Sequence, residues 1–175
     1  MALTTVPVSM FTAGQTPSFN GVTFPATQSA STDGNTLDDY EEGTWTPAVT
    51  FTGGTTGSPT YTTQLGTYTK VGRLVTIQLT LAFNKNTLSG GYLYQITGLP
   101  FASNSSAGSN ISFGYWYNPS GTAFINVSHF LSAGTSALGV NRMVAANADA
   151  APISIAVSEI ASSLNLVYTV TYQTA

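Results

Sequence analysis

Hydrophobic and polar residues alternate with a period of two along much of the chain after Trp45. The clearest run has five large apolar residues at alternate positions: Val75, Ile77, Leu79, Leu81 and Phe83. The positions between them hold Thr76, Gln78, Thr80 and Ala82. Such alternation is typical of a strand with one buried and one solvated face. The pattern therefore predicts a half-buried strand whose outer face is rich in hydroxyl groups.

Two segments near the carboxy terminus alternate in the same way. Their apolar positions are Ile153, Ile155 and Val157, then Leu164, Leu166, Tyr168, Val170 and Tyr172. Further strands are predicted at 46–51, 60–68, 92–97, 111–117, 123–131 and 137–144, with turn residues between them, and only 143–150 fits a helical turn. About eight or nine short strands at this spacing favour an all-β fold, an antiparallel sandwich or jelly roll, over an α/β fold.

Residues 1–43 differ from the rest of the chain. They contain three prolines and a polar run at 28–35, so they lack the means to form a compact core alone. We predict an extended attachment arm over 1–43 and a β-sandwich domain over 44–175. The apolar residues of the arm are predicted to anchor it to a partner or to neighbouring copies: Val6, Val8, Met10, Phe11, Phe19 and Phe24. A frayed terminus is the alternative.

Charge is scarce in this chain. Charged residues make up 6% of the sequence, against about 25% in ordinary soluble domains. Such a surface has few charges to keep sheet edges apart, so we expect a closed oligomer. Four Lys and Arg residues and a net charge of −3 do not supply the basic stripe that nucleic-acid binding needs. We expect no nucleic-acid partner.

The chain contains no cysteine, which excludes disulfides and thiolate metal sites. The amino terminus lacks the basic end and apolar block of a signal peptide, and no apolar run reaches bilayer length. We therefore expect neither secretion nor membrane insertion. No cofactor is indicated.

Four of the seven acidic residues gather in one aromatic-flanked segment, at Asp38, Asp39, Glu41 and Glu42. Their spacing does not match an EF-hand calcium loop, and we expect no metal. Neighbouring carboxylates on an extended segment point to opposite faces, unlike the facing carboxyls of a glycosidase. We expect these acids to form ion pairs with Lys70 and Arg73, between arm and core or between subunits.

His129 is the only histidine, so a Ser-His-Asp triad would have to use it. It falls in phase with Val127 and Leu131, on the predicted inward or interface side of a strand. A lone histidine in that position is more often packed than catalytic, and one histidine makes a poor metal site. We predict no catalytic residue.

Aromatic residues cluster at two places that suit ligand recognition. The candidates for receptor binding are Tyr92, Tyr94, Tyr115, Trp116 and Tyr117. Exposed rings stack on the apolar faces of sugars, while Asn and Ser side chains bind the hydroxyl edges. Alternation sends Trp116 to the face opposite Tyr115 and Tyr117. Packing in a core or a subunit interface is the alternative role for these rings.

Three short motifs follow one another in the first part of the chain. They are LDDYEEGTWTP at 37–47, YTKVGRLV at 68–75 and GLPF at 98–101. In this order they resemble the carboxy-terminal domain of many bacteriophage tail-fibre proteins, and FPATQ at 24–28 fits the same pattern. The resemblance covers residues 24–101.

The resemblance implies a virion protein, assembled in the host bacterial cytoplasm, with a jelly-roll-like fold and a homotrimeric fibre-tip or receptor-binding role. Its expected partners are other tail or capsid proteins and a host surface glycan or protein. Two alternatives stay open. One is a capsid or tail decoration or connector protein without receptor binding, favoured by the short stretch before the motifs; the other is a polysaccharide-degrading tail spike.

Overall fold

The computed structural model describes residues 39–106, 112–117, 126–143 and 154–174. These residues form strands and one short 3-10 turn at Val157–Glu159, and no α-helix occurs within the described ranges. The strands are β1 (Tyr40–Trp45), β2 (Ala48–Thr52), β3 (Thr60–Val71), β4 (Leu74–Asn84), β5 (Tyr92–Thr97), β6 (Ser112–Phe113), β7 (Tyr115–Tyr117), β8 (Asn126–Leu131), β9 (Ala137–Met143), β10 (Ile155–Ala156) and β11 (Ser163–Gln173). The predicted all-β class is confirmed.

Five strands form sheet A in the order β1-β3-β4-β11-β7, and every neighbouring pair is antiparallel. The β3–β4 hairpin turns at Gly72 and Arg73. Gly72 has a φ of +55°, the left-handed conformation that favours glycine in tight hairpins. β11 pairs with β4 over the whole of Ser163–Gln173. The three long strands β3, β4 and β11 are therefore the framework of this sheet.

The other six strands form sheet B, also antiparallel, with β10, β5, β9, β8 and β6 as successive neighbours and β2 paired to β5. The β2–β5 register shifts between Thr50 and Phe51, and Tyr94 of β5 has no opposite residue. A bulge of this kind adds one residue to one strand and re-aims the side chains around it. As a result Leu93 and Ile96 are both fully buried, although regular alternation would turn residues at i and i+3 to opposite faces of the strand.

Apolar side chains of both sheets form one core cluster. Sheet A contributes the alternate residues of β4 and β11, and sheet B contributes Leu93, Ile96, Val127, Leu131, Leu138 and Val140. Among the described residues, two ring contacts join the sheets. Phe51 of β2 lies edge-on to Phe83 of β4, with 6.2 Å between ring centroids, and His129 of β8 packs against Tyr168 of β11 at 3.7 Å. The period-two pattern predicted for β4 and β11 is thus confirmed by their burial.

The strand predicted at 111–117 is divided at Gly114. β6, before it, belongs to sheet B, and β7, after it, belongs to sheet A. A Cβ atom at Gly114 would lie 2.1 Å from the Tyr168 ring and 2.4 Å from the carbonyl oxygen of Val167. Glycine is therefore required where the chain passes between the sheets in close contact with β11. Alternation alone does not reveal such a change of sheet.

The strand predicted around Ile153, Ile155 and Val157 is short. β10 contains two residues, and the chain then enters the 3-10 turn at Val157–Glu159. The Glu159 carboxylate accepts a hydrogen bond of 2.9 Å from the backbone N–H of Ala156. This side-chain bond stabilises the turn in place of a longer strand.

β1 begins at Tyr40, inside the stretch predicted as the arm. Its backbone pairs with β3, so sheet A starts before the predicted boundary at residue 44. The sequence did not predict this strand, because acidic residues interrupt the alternation of apolar and polar positions in this segment. The predicted anchors lie outside the described residues: Val6, Val8, Met10, Phe11, Phe19 and Phe24.

Candidate functional site

The three motifs that follow one another in the sequence lie together in the structure. β1, from the first motif, pairs with β3, which carries the second, so that Glu41 faces Lys70 and Trp45 faces Gly66. The third motif reaches the same place through Phe101, whose ring lies edge-on to Tyr68 with centroids 5.3 Å apart. We call this assembly of residues 39–47, 66–75 and 98–101 the motif cluster.

A buried ion pair lies at the centre of the motif cluster. The Lys70 ammonium contacts the Asp39 carboxylate, and the two side chains are 6% and 8% exposed. The same ammonium lies 5.4 Å from the centroid of the Phe101 ring, a cation–π contact. The backbone N–H of Gly72 donates to the carbonyl oxygen of Asp39 at 2.9 Å. These contacts join the beginning of β1, the end of β3 and the third motif.

Two glycines allow the close packing around Trp45. A Cβ atom at Gly66 would lie 2.5 Å from the Trp45 ring, which rests on this position. Trp45 also donates from its Nε1 to the carbonyl oxygen of Thr67 at 3.3 Å. Gly98 has a φ of +92°, and a Cβ there would lie 2.5 Å from the carbonyl oxygen of Thr46. The conspicuous residues of the motifs are therefore used in packing one cluster.

The remaining acids of the first motif have local partners. Glu42 accepts a hydrogen bond of 2.7 Å from the Tyr40 hydroxyl, and this bond, together with the carboxylate charge, raises the pKa of Tyr40. Glu41 accepts one of 3.5 Å from Tyr68, whose pKa is raised first by burial and then by the Glu41 charge. Arg73 is exposed and forms no ion pair within the described residues, which do not include Asp38.

Sequence reasoning missed a second ion pair, in which Arg142 of β9 contacts Glu159 of the 3-10 turn at 2.6 Å. Both side chains are mostly buried, at 13% and 18% exposure. The two residues are distant in sequence and lie in unrelated patterns. The sequence held one signal for this pair: the chain has only four Lys and Arg residues, so each of them is a candidate partner for an acidic residue.

The predicted receptor-binding residues divide into two exposed pairs and one packed ring. Tyr115 and Tyr117 of β7 are 62% and 49% exposed on sheet A, while Trp116 between them is half-buried against the core. Tyr92 and Tyr94 of β5 are 45% and 48% exposed on sheet B. The two tyrosine pairs therefore belong to different sheets.

The side of sheet A that points away from the core is a broad, regular surface, which we call the outer face. Two rows of side chains cross its middle in register: Thr44, Thr67, Gln78 and Thr169, then Leu65, Thr80, Val167 and Tyr115. Seven of the nine exposed large hydrophobic residues of the described chain lie on it: Tyr40, Leu65, Val71, Leu74, Tyr115, Tyr117 and Val167.

The outer face contains two adjoining depressions of about 440 and 360 Å³, which share Thr67 and Gln78. Among the charged side chains that the structure describes, only Glu42 lies on this face, at its β1 margin, and Arg73 lies in the turn beyond its end. The face therefore offers hydroxyl, carboxamide and apolar groups, with almost no charge.

Reactive groups are sparse in the described part of the chain. His129 is 1% exposed and packs against Tyr168, whose pKa is raised by burial. Residues 39–106, 112–117, 126–143 and 154–174 hold no group of three or more His, Cys, Asp or Glu side chains that would ligate a metal. The same residues contain no helix of the length and hydropathy that a bilayer crossing takes.

The ion pair of the motif cluster gives a first test. Replacing Lys70→Met leaves the Asp39 carboxylate buried without its counter-charge, and we expect the free energy of unfolding to fall by about 3–5 kcal/mol. Urea unfolding followed by tryptophan fluorescence measures the change. The exposed Glu42→Gln is the matched control, expected to change stability by less than about 0.5 kcal/mol. Equal effects of the two variants would contradict the importance of the pair.

Tyr172 gives a second test, in alkaline solution. Its hydroxyl donates to the carbonyl oxygen of Phe101 at 2.9 Å, and burial raises its pKa to about 12 from 10.0. Because the folded pKa lies above the unfolded one, its contribution to stability is complete below pH 10 and is lost as the pH rises towards 12. Tyr172→Phe is therefore expected to make the decline in stability over this interval shallower.

Chemical unfolding of the wild type and the variant at fixed pH values between 9 and 12.5 records that decline. A Tyr172→Phe decline as steep as that of the wild type would show that this hydroxyl titrates normally.

Comparison with known proteins adds no relative to this description: no protein-family model, no curated protein and no solved structure matches the chain. The assignment of a function therefore depends on the motif cluster, the exposed tyrosines and the outer face.

Proposed function

We propose that this chain is a bacteriophage virion protein of the tail-fibre type, a homotrimeric domain that binds a receptor on the host surface. The observation that carries the proposal is the motif cluster. Three motifs that resemble those of tail-fibre domains pack against one another through Asp39, Lys70 and Phe101, although they are far apart in sequence. Motifs that form one packed unit have a physical reason to occur together.

The proposed architecture is a β-sandwich of jelly-roll type. Its support is that sheets A and B share one core and contact each other through Phe51 and Phe83. A polar contact also links the sheets, because the Tyr61 hydroxyl accepts from the backbone N–H of Val49 at 2.8 Å. Gln64 donates to the carbonyl oxygen of Pro47, in the connection from β1 to β2, at 2.9 Å. A rigid scaffold of this kind holds surface residues at fixed spacing, as receptor binding requires.

We assign receptor contact to Tyr92 and Tyr94. Both rings are exposed, and the bulge in β5 leaves Tyr94 outside the ladder pairing, which is how bulges re-aim side chains. Thr50 and Thr52 on β2 and Gln95 on β5 border them with hydroxyl and carboxamide groups. Aromatic rings with such neighbours suit a surface glycan, whose sugars have apolar faces and hydroxyl edges.

Residues 1–43 are the proposed attachment to the particle. β1, which pairs with β3, begins at Tyr40, so the described chain starts at the edge of sheet A. The apolar residues named above as anchors would bind other tail or capsid proteins.

A decoration or connector role without a receptor is the second candidate, favoured by the outer face. A broad uncharged surface also suits lateral packing in a shell of identical copies. A polysaccharide-degrading spike is less well supported. Asp39 and Glu159 are engaged by Lys70 and Arg142, and Glu41 and Glu42 are adjacent on one strand and do not face each other.

Receptor binding is tested with the fluorescently labelled protein and cells of the bacterium on which the phage grows. We expect the wild type to bind the cells and Tyr92→Ala with Tyr94→Ala to weaken binding about tenfold or more, which corresponds to about 1.4 kcal/mol. The matched control is Tyr92→Phe with Tyr94→Phe, which keeps both exposed rings and removes only their hydroxyl groups, and we expect it to keep most of the binding. Wild-type protein that ignores the cells but coats particles would favour the decoration role.

The attachment arm is tested by deleting residues 1–36, which leaves every described strand intact. We expect a protein with an unchanged β-type circular dichroism spectrum that no longer incorporates into particles. Incorporation is measured by immunoblotting purified virions after expression of the tagged protein during infection. Normal incorporation of the truncated protein would refute the assignment of the arm.

A further inference from the structure

We infer that the outer face of sheet A is the surface through which copies of this chain meet. The inference deepens the proposed function, because it assumes the proposed homotrimer and identifies the part of the domain that forms its interface. The occupant of the face is thus a second copy of the same chain.

The chemistry of the face suits its own copy. Threonine hydroxyls and glutamine carboxamides each contain both a donor and an acceptor, so when three copies turn this face towards a common axis, each face can hydrogen-bond to the same groups on its two neighbours. A surface rich in one charge would repel its copy, but here Glu42 is the sole charged side chain among the described residues of the face. Thr76 and Thr171 already bond in this way, with 3.1 Å between their hydroxyl oxygens.

The apolar groups are placed as in an interface. Leu65, Val167 and Tyr115 share one register row, at 66%, 41% and 62% exposure, with Thr80 between Leu65 and Val167, and we call this row the apolar band. Rows of hydroxyl and amide groups lie beside this band. A hydrophobic centre bordered by polar residues is the usual arrangement of protein–protein interfaces.

The size of the face is also sufficient. The strands β1, β3, β4, β11 and β7 have 6, 12, 11, 11 and 3 residues. At about 3.3 Å per residue and about 4.8 Å between strands, they give a projected area on the order of 600 Å². Accessible area exceeds projected area on a surface covered with side chains. A standard interface buries about 800 Å² on each partner. Most of such an interface fits on this one face.

Sheet B offers a weaker case for the same role. Its exposed large hydrophobic residues within the described chain are Tyr92 and Tyr94. Assigning the outer face of sheet A to the copies leaves these two tyrosines accessible to a receptor. The two assignments are therefore compatible in one molecule.

The first experiment measures the mass of the full-length protein by light scattering across a concentration series. We expect the wild type to have three times the single-chain mass of 18.2 kDa. Leu65→Lys places a charge in the apolar band at the most exposed of its positions, and we expect a threefold loss of mass to that of one chain. Tyr92→Lys, on sheet B, is the matched control and is expected to keep the wild-type mass.

The second experiment uses the absence of cysteine in this chain. Thr80→Cys introduces one thiol in the middle of the face, and Thr52→Cys introduces one on sheet B. Under mild oxidation we expect a disulfide-linked dimer on a non-reducing gel for Thr80→Cys and a single-chain band for Thr52→Cys. This result decides the question if Leu65→Lys fails to fold by circular dichroism.

The outcomes separate this inference from the proposed function. An oligomeric wild type with a folded Leu65→Lys variant of unchanged mass, or with no cross-link at Thr80→Cys, would overturn the inference and leave the oligomer in place. A wild type that stays at 18.2 kDa at micromolar concentration would overturn both the inference and the trimer. The cell-binding experiment with Tyr92→Ala and Tyr94→Ala tests the receptor role independently of either outcome.

Discussion

The register between β4 and β11 is the constraint on which the rest of the structure depends. All 11 residues of β11 pair with β4, so each inward residue of one strand lies beside an inward residue of the other. A slip of one residue would turn the apolar set of β11 to solvent and bring its hydroxyl set inside. The same alternation that places Tyr168 and Tyr172 in the core also places Val167 on the outer face. Core and surface are therefore fixed by one pairing.

The strands that the sequence predicted well are those for which burial alone determines the pattern. β4 and β11 alternate cleanly and match their predicted ranges closely, since one side of each faces the core. β5 also matches its predicted range, although the bulge at Tyr94 interrupts its alternation. β1 was missed because the positions that share a side of the strand with Trp45 are the exposed Glu41 and the half-buried Gly43, which give no apolar signal. The change of sheet at Gly114 and the bulge at Tyr94 depend on contacts with distant strands, which a linear pattern does not contain.

The candidate site was less predictable than the fold for the same reason. The tyrosines were identified as candidates by their residue type alone. That Tyr92 and Tyr94 lie on sheet B, whereas Tyr115 and Tyr117 lie on sheet A, follows from the strand pairing, which the sequence does not reveal. The pairing of acids with Lys70 was foreseen from charge scarcity, whereas the choice of Asp39 depends on where β1 begins. Both ion pairs join segments that are far apart in the chain. In this charge-poor protein some of the few charged side chains thus form buried ion pairs between distant segments, whereas other proteins place charges on the solvated surface.

The position of β1 has a consequence for how such a protein avoids fibrils. Within the described residues β1 is an edge of sheet A, and edge strands present unpaired backbone groups that can recruit another strand. Glu41 and Glu42 project from opposite sides of this strand, so an approaching β1 of another molecule would meet carboxylates on either side. The two carboxylates therefore place electrostatic repulsion at an edge where strands of other molecules could add to the sheet. Addition of further strands at this edge of sheet A is thereby disfavoured.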